Sequence, residues 1–290
     1  METRAAVGRI GIWSREFRNE DPAVAGVLRD AAAELESLGY GAVWIGGGPG
    51  VAIARPVLDA TTRMIVATGI LSVWEHDAAE VAAGAARLNA EYADRFLLGL
   101  GVSHGHMVTG YEKPYAKMVD YLDALDAAEP SVKPERRVLA ALGPKMLRLS
   151  AERAAGAHPY MAPLAHTVSA RETLGPGPLL APEINVVLER EPEVARAAAR
   201  AHVRPYLELM PNYTNNMRRY GFTDDDIQGG GSDRLIDSLY LWGDEDRIRE
   251  RVAEFHAAGA DHLAIQVVRA APDTNPPMSE YRRLAAALIG

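Results

Sequence analysis

Gly8-Arg9-Ile10-Gly11-Ile12-Trp13 is an apolar run of strand length. It is followed by Asp21-Pro22, an alanine-rich stretch through Leu28, Leu35 and Leu38 to Gly39, and then Ala42-Val43-Trp44-Ile45. Asp at an N-cap with Pro at the first helical position predicts a helix start, and Gly39 a left-handed terminator. The segment therefore reads as strand, helix, strand. The same alternation continues, with strands expected at Met64–Val73, Arg95–Val102, Val138–Leu142, His158–Met161, Ile184–Leu188 and His262–Val268. Helices are expected at Ala78–Tyr92, Tyr115–Ala128, Lys145–Ala155 and His166–Leu174, from Glu191-Pro192 onward, and at Ser232–Leu241, Asp244–Ala258 and Ser279–Leu288. Eight strands with intervening helices and no linker predict an α/β chain folded as a (β/α)8 TIM barrel. It forms one domain over residues 1–290, with a long insertion between strands seven and eight. The alternative is an open doubly wound sheet, whose first turn would carry Gly-x-Gly-x-x-Gly; here that turn reads Trp13-Ser14-Arg15-Glu16-Phe17.

Composition narrows the function. The 290 residues are 48% apolar, enough for a sizeable core, and contain no cysteine. Disulfides, cysteine-based metal centres and thiol catalysis are excluded together. Lys plus Arg number 31 against 39 acids, a net charge of −8, and no basic run tracks a phosphate backbone, so nucleic acid is not an expected partner. The first ten residues lack the apolar core of a signal peptide, and no segment has the span of a membrane helix. The expectation is a cytoplasmic protein without a membrane partner.

In a barrel the reactive groups lie where strands end, at the mouth formed by the βα loops. Those ends bring Trp13; Gly46 to Gly48; Ser72, Val73, Glu75 and His76; Gly101, Ser103, His104 and His106; Gly143-Pro144-Lys145; Tyr160; Glu189; and Gln266. Clustered carboxylates are lacking, which argues against a glycosidase pair or a magnesium site. Glycine, aromatic and imidazole groups suit a planar cofactor. His104 and His106 form a His-x-His pair, but the other histidines mostly precede strands or lie on helices, so no metal is expected. His106 also reads as an exposed loop residue. Leu142-Gly143-Pro144-Lys145 leads from a strand into a helix and offers free N–H groups with a cation beside them, a place for phosphate or simply a turn.

Arg95-Phe96-Leu97-Leu98-Gly99-Leu100-Gly101-Val102-Ser103-His104 closely resembles the fourth-strand signature of luciferase-like monooxygenases and their F420-dependent relatives. Similar matches are Tyr115 to Asp126, Leu139 to Leu147, Gly156 to Tyr160, Asn212 to Asn216 and Gly259 to His262, so the resemblance covers nearly the whole chain. It implies a homodimeric oxidoreductase that uses coenzyme F420 to transfer a hydride between the deazaflavin C5 and a small organic substrate. It further implies a non-prolyl cis peptide behind the cofactor ring, which Ser72-Val73 fits. The cofactor phosphate would lie on the Leu142, Gly143, Pro144, Lys145 and Met146 turn. Gly101, Ser103 and His104 would lie near ring and substrate, and Trp13 and Gly46 complete the candidate cofactor contacts.

The chain departs from the resemblance after the second strand, where relatives carry an acidic or polar group and this sequence reads Gly46-Gly47-Gly48-Pro49-Gly50. Glycine cannot transfer a proton. The catalytic candidates are therefore His104 first, because imidazole titrates near neutrality, then His76 and Glu75. Two other readings stay open: an FMN-dependent monooxygenase of the same fold that needs a separate reductase, and a flavin- or deazaflavin-binding protein without catalysis.

Overall fold

The computed structural model describes residues 3–271 and 274–290. Its strands are β1 (Ile10–Ser14), β2 (Ala42–Gly46), β3 (Ile65–Gly69), β4 (Leu71–Ser72), β5 (Phe96–Gly101) and β6 (Arg137–Leu139), followed by β7 (Gly156–Ala157), β8 (Leu179–Leu180), β9 (Glu183–Val187), β10 (Tyr240–Trp242) and β11 (Leu263–Val267). All pair in parallel in one sheet, in the order β10-β9-β11-β1-β2-β3-β5-β6-β7-β8, with β4 beside β5. The two outer stretches of this path meet, because only Ala181 and Pro182 separate β8 from β9. Ala181 N–H donates to Ala157 O at 2.9 Å and Glu183 N–H to Pro159 O at 2.8 Å. The sheet thus curls towards closure. The expected ring of eight equal units is met only in part, since β4, β8 and β10 are additional short pieces.

Strands buried on both faces suit a parallel sheet covered by helices, and period-two alternation decides which side chain goes where. Ile12, Val43, Ile45, Val66, Phe96 and Leu98 pack outward with the apolar faces of surrounding helices such as Ala25–Ser37 and Ala78–Glu91. Their alternates Trp13, Ala42, Trp44, Ile65, Ala67, Leu97, Val138 and Ala264 fill a separate inner cluster. Inside, Trp44 is fully buried and its indole N–H donates to His262 Nε2 at 3.0 Å, while His158 stacks on it with centroids 4.2 Å apart.

Several boundaries differ from expectation for identifiable reasons. Asp21 accepts from Ala23 N–H but closes only a turn; the helix runs Ala25–Ser37, ending before Gly39 at φ 90° as expected. The run read as helix to Leu241 stops at Leu239, because Tyr240, Leu241 and Trp242 pair with β9 and are buried there. The sixth strand lies at Gly156–Ala157 rather than His158–Met161. His158 N–H still bonds Leu139 O, after which Met161 at φ 52° turns the chain out of the sheet.

The insertion between β9 and β11 holds helices Pro192–Leu209, Pro211–Arg219, Asp224–Ile227 and Asp233–Leu239, then β10 and helix Glu245–Ala257. It has its own apolar cluster, in which Tyr206, Tyr213, Met217 and Leu235 pack with Met161 and Val187 from the strand ends. This apolar seam lays the insertion against the sheet's C-terminal side. Among the described residues no helix is long and apolar enough to cross a membrane.

Candidate functional site

The third strand breaks three residues before the expected position. The non-prolyl cis peptide is Gly69-Ile70, not Ser72-Val73. Leu71 and Ser72 are already in register with Leu100 and Gly101, and Val73 N–H donates to Gly101 O at 3.0 Å, so that segment is regular strand. Gly69 is required at the break because a Cβ there would approach Trp13 Nε1 to 2.9 Å, and the indole N–H donates to Gly69 O. Ile70 then lies over β5, where a Cβ on Gly101 would overlap its side chain. The signal was a lone glycine within an apolar strand, a mark of a bulge. Ser72 and Val73 are buried, whereas Ile70 is half-buried.

The glycines after β2 have a packing explanation. A Cβ on Gly46 would overlap the Trp13 ring, and Gly47 and Gly48 adopt φ 90° and 76°, left-handed values that favour glycine. Trp13 therefore fills the space that a side chain on Gly46 would occupy. Glu75 and His76 rim this turn, with the Glu75 carboxylate 3.6 Å from where a Gly48 Cβ would stand and His76 3.4 Å from that of Gly50. Among the described residues no hydrogen bond or ring contact joins either to His104.

His104 is half-buried and instead meets the insertion. Ser103 turns the chain at φ 55°, and His104 Nδ1 lies 2.9 Å from Asn212 Oδ1, with the Tyr213 ring 5.3 Å and the His106 ring 6.0 Å away. Burial pushes the His104 pKa down, against the Asn212 hydrogen bond, which raises it. Among the described residues no group of three or more His, Cys, Asp or Glu is arranged to hold a metal.

Gly143 caps helix Pro144–Arg153 without a side-chain hydrogen bond, and a Cβ on it would meet nothing within 4 Å. Leu147 is the residue whose N–H returns to Gly143 O, so the Lys145 and Met146 N–H groups lead the helix, with Lys145 exposed and Met146 half-buried. Leu142 O accepts from His166 Nε2 at 3.1 Å, which pins the turn from below.

Sequence reasoning missed a polar chain across the strand ends. Arg15 donates to Tyr206 OH at 3.4 Å; Tyr206 and Tyr160 hydroxyls lie 2.8 Å apart; Tyr160 donates to Gln266 Oε1 at 2.9 Å; Gln266 Nε2 and His202 Nε2 are 3.0 Å apart; and His202 Nδ1 is 2.8 Å from Tyr240 OH. Trp13 and Tyr213 flank it, their rings 5.1 and 6.0 Å from Tyr160. Beneath lies Glu183, buried, with Oε2 accepting from Met161 N–H at 3.1 Å and Oε1 without a hydrogen-bond partner among the described residues. Burial pushes its carboxyl up to about 8. Tyr160 and Gln266 are strand-end residues by alternation, but Tyr206, His202 and Asn212 come from insertion helices whose docking no local spacing encodes.

The luciferase-like monooxygenase family model matches residues 11–262. The chain belongs to that family. This luciferase-like chain is similar to a solved F420-dependent secondary alcohol dehydrogenase in complex with an F420-acetone adduct, at 14% identity and TM-score 0.73 over 97% of this chain and 98% of that one. It is also similar to the coenzyme F420 dependent tetrahydromethanopterin reductase from Methanopyrus kandleri, at 14% identity and TM-score 0.74 over 98% and 99%. A third is the oxygenating constituent of 3,6-diketocamphane monooxygenase from Pseudomonas putida in complex with FMN, at 14% identity and TM-score 0.63 over 96% of each chain. At such identities the likeness is one of fold. No curated protein matches by sequence. Members of the luciferase-like family are oxidoreductases or monooxygenases, so the chain is an enzyme of that broad class.

Proposed function

We propose that this single-domain chain is an F420-dependent oxidoreductase acting on a small organic substrate, with its eight main strands forming the barrel and β10 an added strand. The observation that carries the cofactor reading is the open helix start at Gly143 to Met146. Two leading N–H groups and the exposed Lys145 offer an anion site on a protein of net charge −8. Lys145 and Arg148, with Lys113 and Lys117, would hold the phosphate and the longer anionic tail of the deazaflavin, and Ile70 with Gly101 would back the ring. When bound, that cofactor supplies hydride chemistry at C5. The chain's own residues orient, exclude water and move the accompanying proton. His104 is the proton donor or acceptor, and Trp13, Tyr160 and Tyr213 wall the site.

Titration of the purified protein with oxidised F420 and, separately, FMN, followed by fluorescence or calorimetry, tests the cofactor reading. F420 is expected to bind more tightly; FMN that co-purifies and resists displacement by F420 overturns it. The second reading, an FMN-dependent monooxygenase, is supported by the likeness to the FMN complex above and would show as oxygen uptake with reduced FMN.

Lys145→Ala is expected to weaken F420 binding by roughly 3- to 30-fold, and by more at low salt than at high, because an ammonium beside a helix start is screened by ions. Turnover of the bound enzyme should persist. Unchanged affinity at low salt would place the anion site elsewhere on the strand ends.

A further inference from the structure

We propose that Asn212 is a positioning residue that holds His104 in the Nδ1–H tautomer and leaves Nε2 as its basic nitrogen. The inference rests on the reading of His104 as the proton relay. A carboxamide oxygen has only lone pairs, so the hydrogen in the 2.9 Å contact between His104 Nδ1 and Asn212 Oδ1 belongs to the ring. The nitrogen that remains unprotonated on a neutral imidazole is set by the bond the other one makes. Without such a partner the ring distributes between both tautomers, and only one of them presents a lone pair at Nε2.

The clamp is built from two adjacent residues of one helix. Asn212 takes the edge of the ring, and Tyr213 packs near it at 5.3 Å. Tyr213 is itself buried and lies 5.5 Å from Tyr206 and 6.0 Å from Tyr160, so the helix carrying the clamp is seated in the phenol cluster. Besides the Tyr213 phenol, His106 is a titratable group facing His104, the Tyr111 ring lies against the neighbouring Gly105, and no carboxylate forms an ion pair with His104 among the described residues. The neutral ring is thus defined by one neutral partner, and a charge placed at position 212 would be felt directly. Asn212 is exposed, so replacing it leaves the core intact.

Nitrogen-15 NMR of the His104 ring in the full-length protein tests the assignment without need of cofactor or substrate. The expected result is a protonated Nδ1 and a bare Nε2 at neutral pH, a mixture of tautomers in Asn212→Ala, and Nδ1–H retained in Asn212→Asp with the His104 titration raised by about one pH unit or more. In F420-dependent turnover, Asn212→Ala should lower kcat by roughly tenfold at unchanged KM, and Asn212→Asp should restore much of the rate with its acid limb moved upward by the same amount. A protonated Nε2 in the unaltered protein, or the same tautomer in Asn212→Ala, overturns the assignment. If the tautomer is as assigned while both Asn212→Ala and His104→Ala turn over at full rate, the relay reading fails and the positioning role falls with it.

Discussion

Acidification from pH 6.5 towards 4 is expected to unfold this protein before most of its carboxylates are protonated. His158, His166, His202 and His262 are each pushed down from 6.5 to about 4, chiefly by burial. Each accepts or donates in a way that suits the neutral ring: His262 takes the Trp44 indole hydrogen at one nitrogen and meets Gly8 O at the other, and His158 meets Ala181 O at 2.6 Å. The unfolded chain binds protons on these rings below 6.5 and the folded one does not, so stability is present above 6.5 and lost as pH falls to about 4. Each ring contributes about 3 kcal/mol over that window, and four together are on the order of 10 kcal/mol, comparable with the whole stability of a domain. Paired carboxylates act lower; the Glu36 carboxylate, held by the Thr62, Arg63 and Met64 N–H groups, sits at about 2.

Glu183 works in the opposite sense. With its carboxyl pushed up from 4.5 to about 8, the folded state keeps a proton that the unfolded chain releases, so stability declines as pH rises from 4.5 to 8. The decline is roughly 3 to 5 kcal/mol, and Glu183→Gln should abolish it. Stability should therefore peak near pH 6.5. Urea unfolding followed by tryptophan fluorescence between pH 4.5 and 8.5 reads both limbs; a midpoint that does not move between 6.5 and 4.5 would sink the histidine account.

His104→Ala should lower kcat by roughly 10² to 10⁴ while leaving F420 affinity nearly unchanged, the separation expected of a group that moves a proton without holding the cofactor. Because burial lowers the His104 pKa, the rate in the direction that uses it as base should hold down to pH values below 6.5 and fall only beneath them. Steady-state kinetics at saturating F420 and substrate decide the matter. Full rate in His104→Ala would transfer the role to His76 or Glu75, which sit across the glycine turn.

Much of this fold was readable because parallel strands buried on both faces are continuous apolar runs, and because helix stops such as Gly39, at φ 90° just past Ala25–Ser37, announce themselves locally. The turn at Gly143 to Lys145 was readable for the same reason. What escaped reading depended on partners distant in sequence. The bulge falls at Gly69 because Trp13, 56 residues earlier, occupies the space a side chain would need. β8 has two residues and no signal of its own; it exists because β7 lies beside it. The resemblance located the cis bond to the right strand and the wrong residues, since only the close packing of Trp13, Gly69 and Ile70 distinguishes one pair from another.

The insertion supplies Arg15 with Tyr206, Gln266 with His202 and His104 with Asn212, all from residues 202 to 213. A dozen contiguous codons therefore write most of the wall opposite the strands. For protein engineering this suggests a single stretch to exchange: the wall could be recombined by swapping residues 202 to 213, while the strands and the Gly143 to Met146 turn stay as they are.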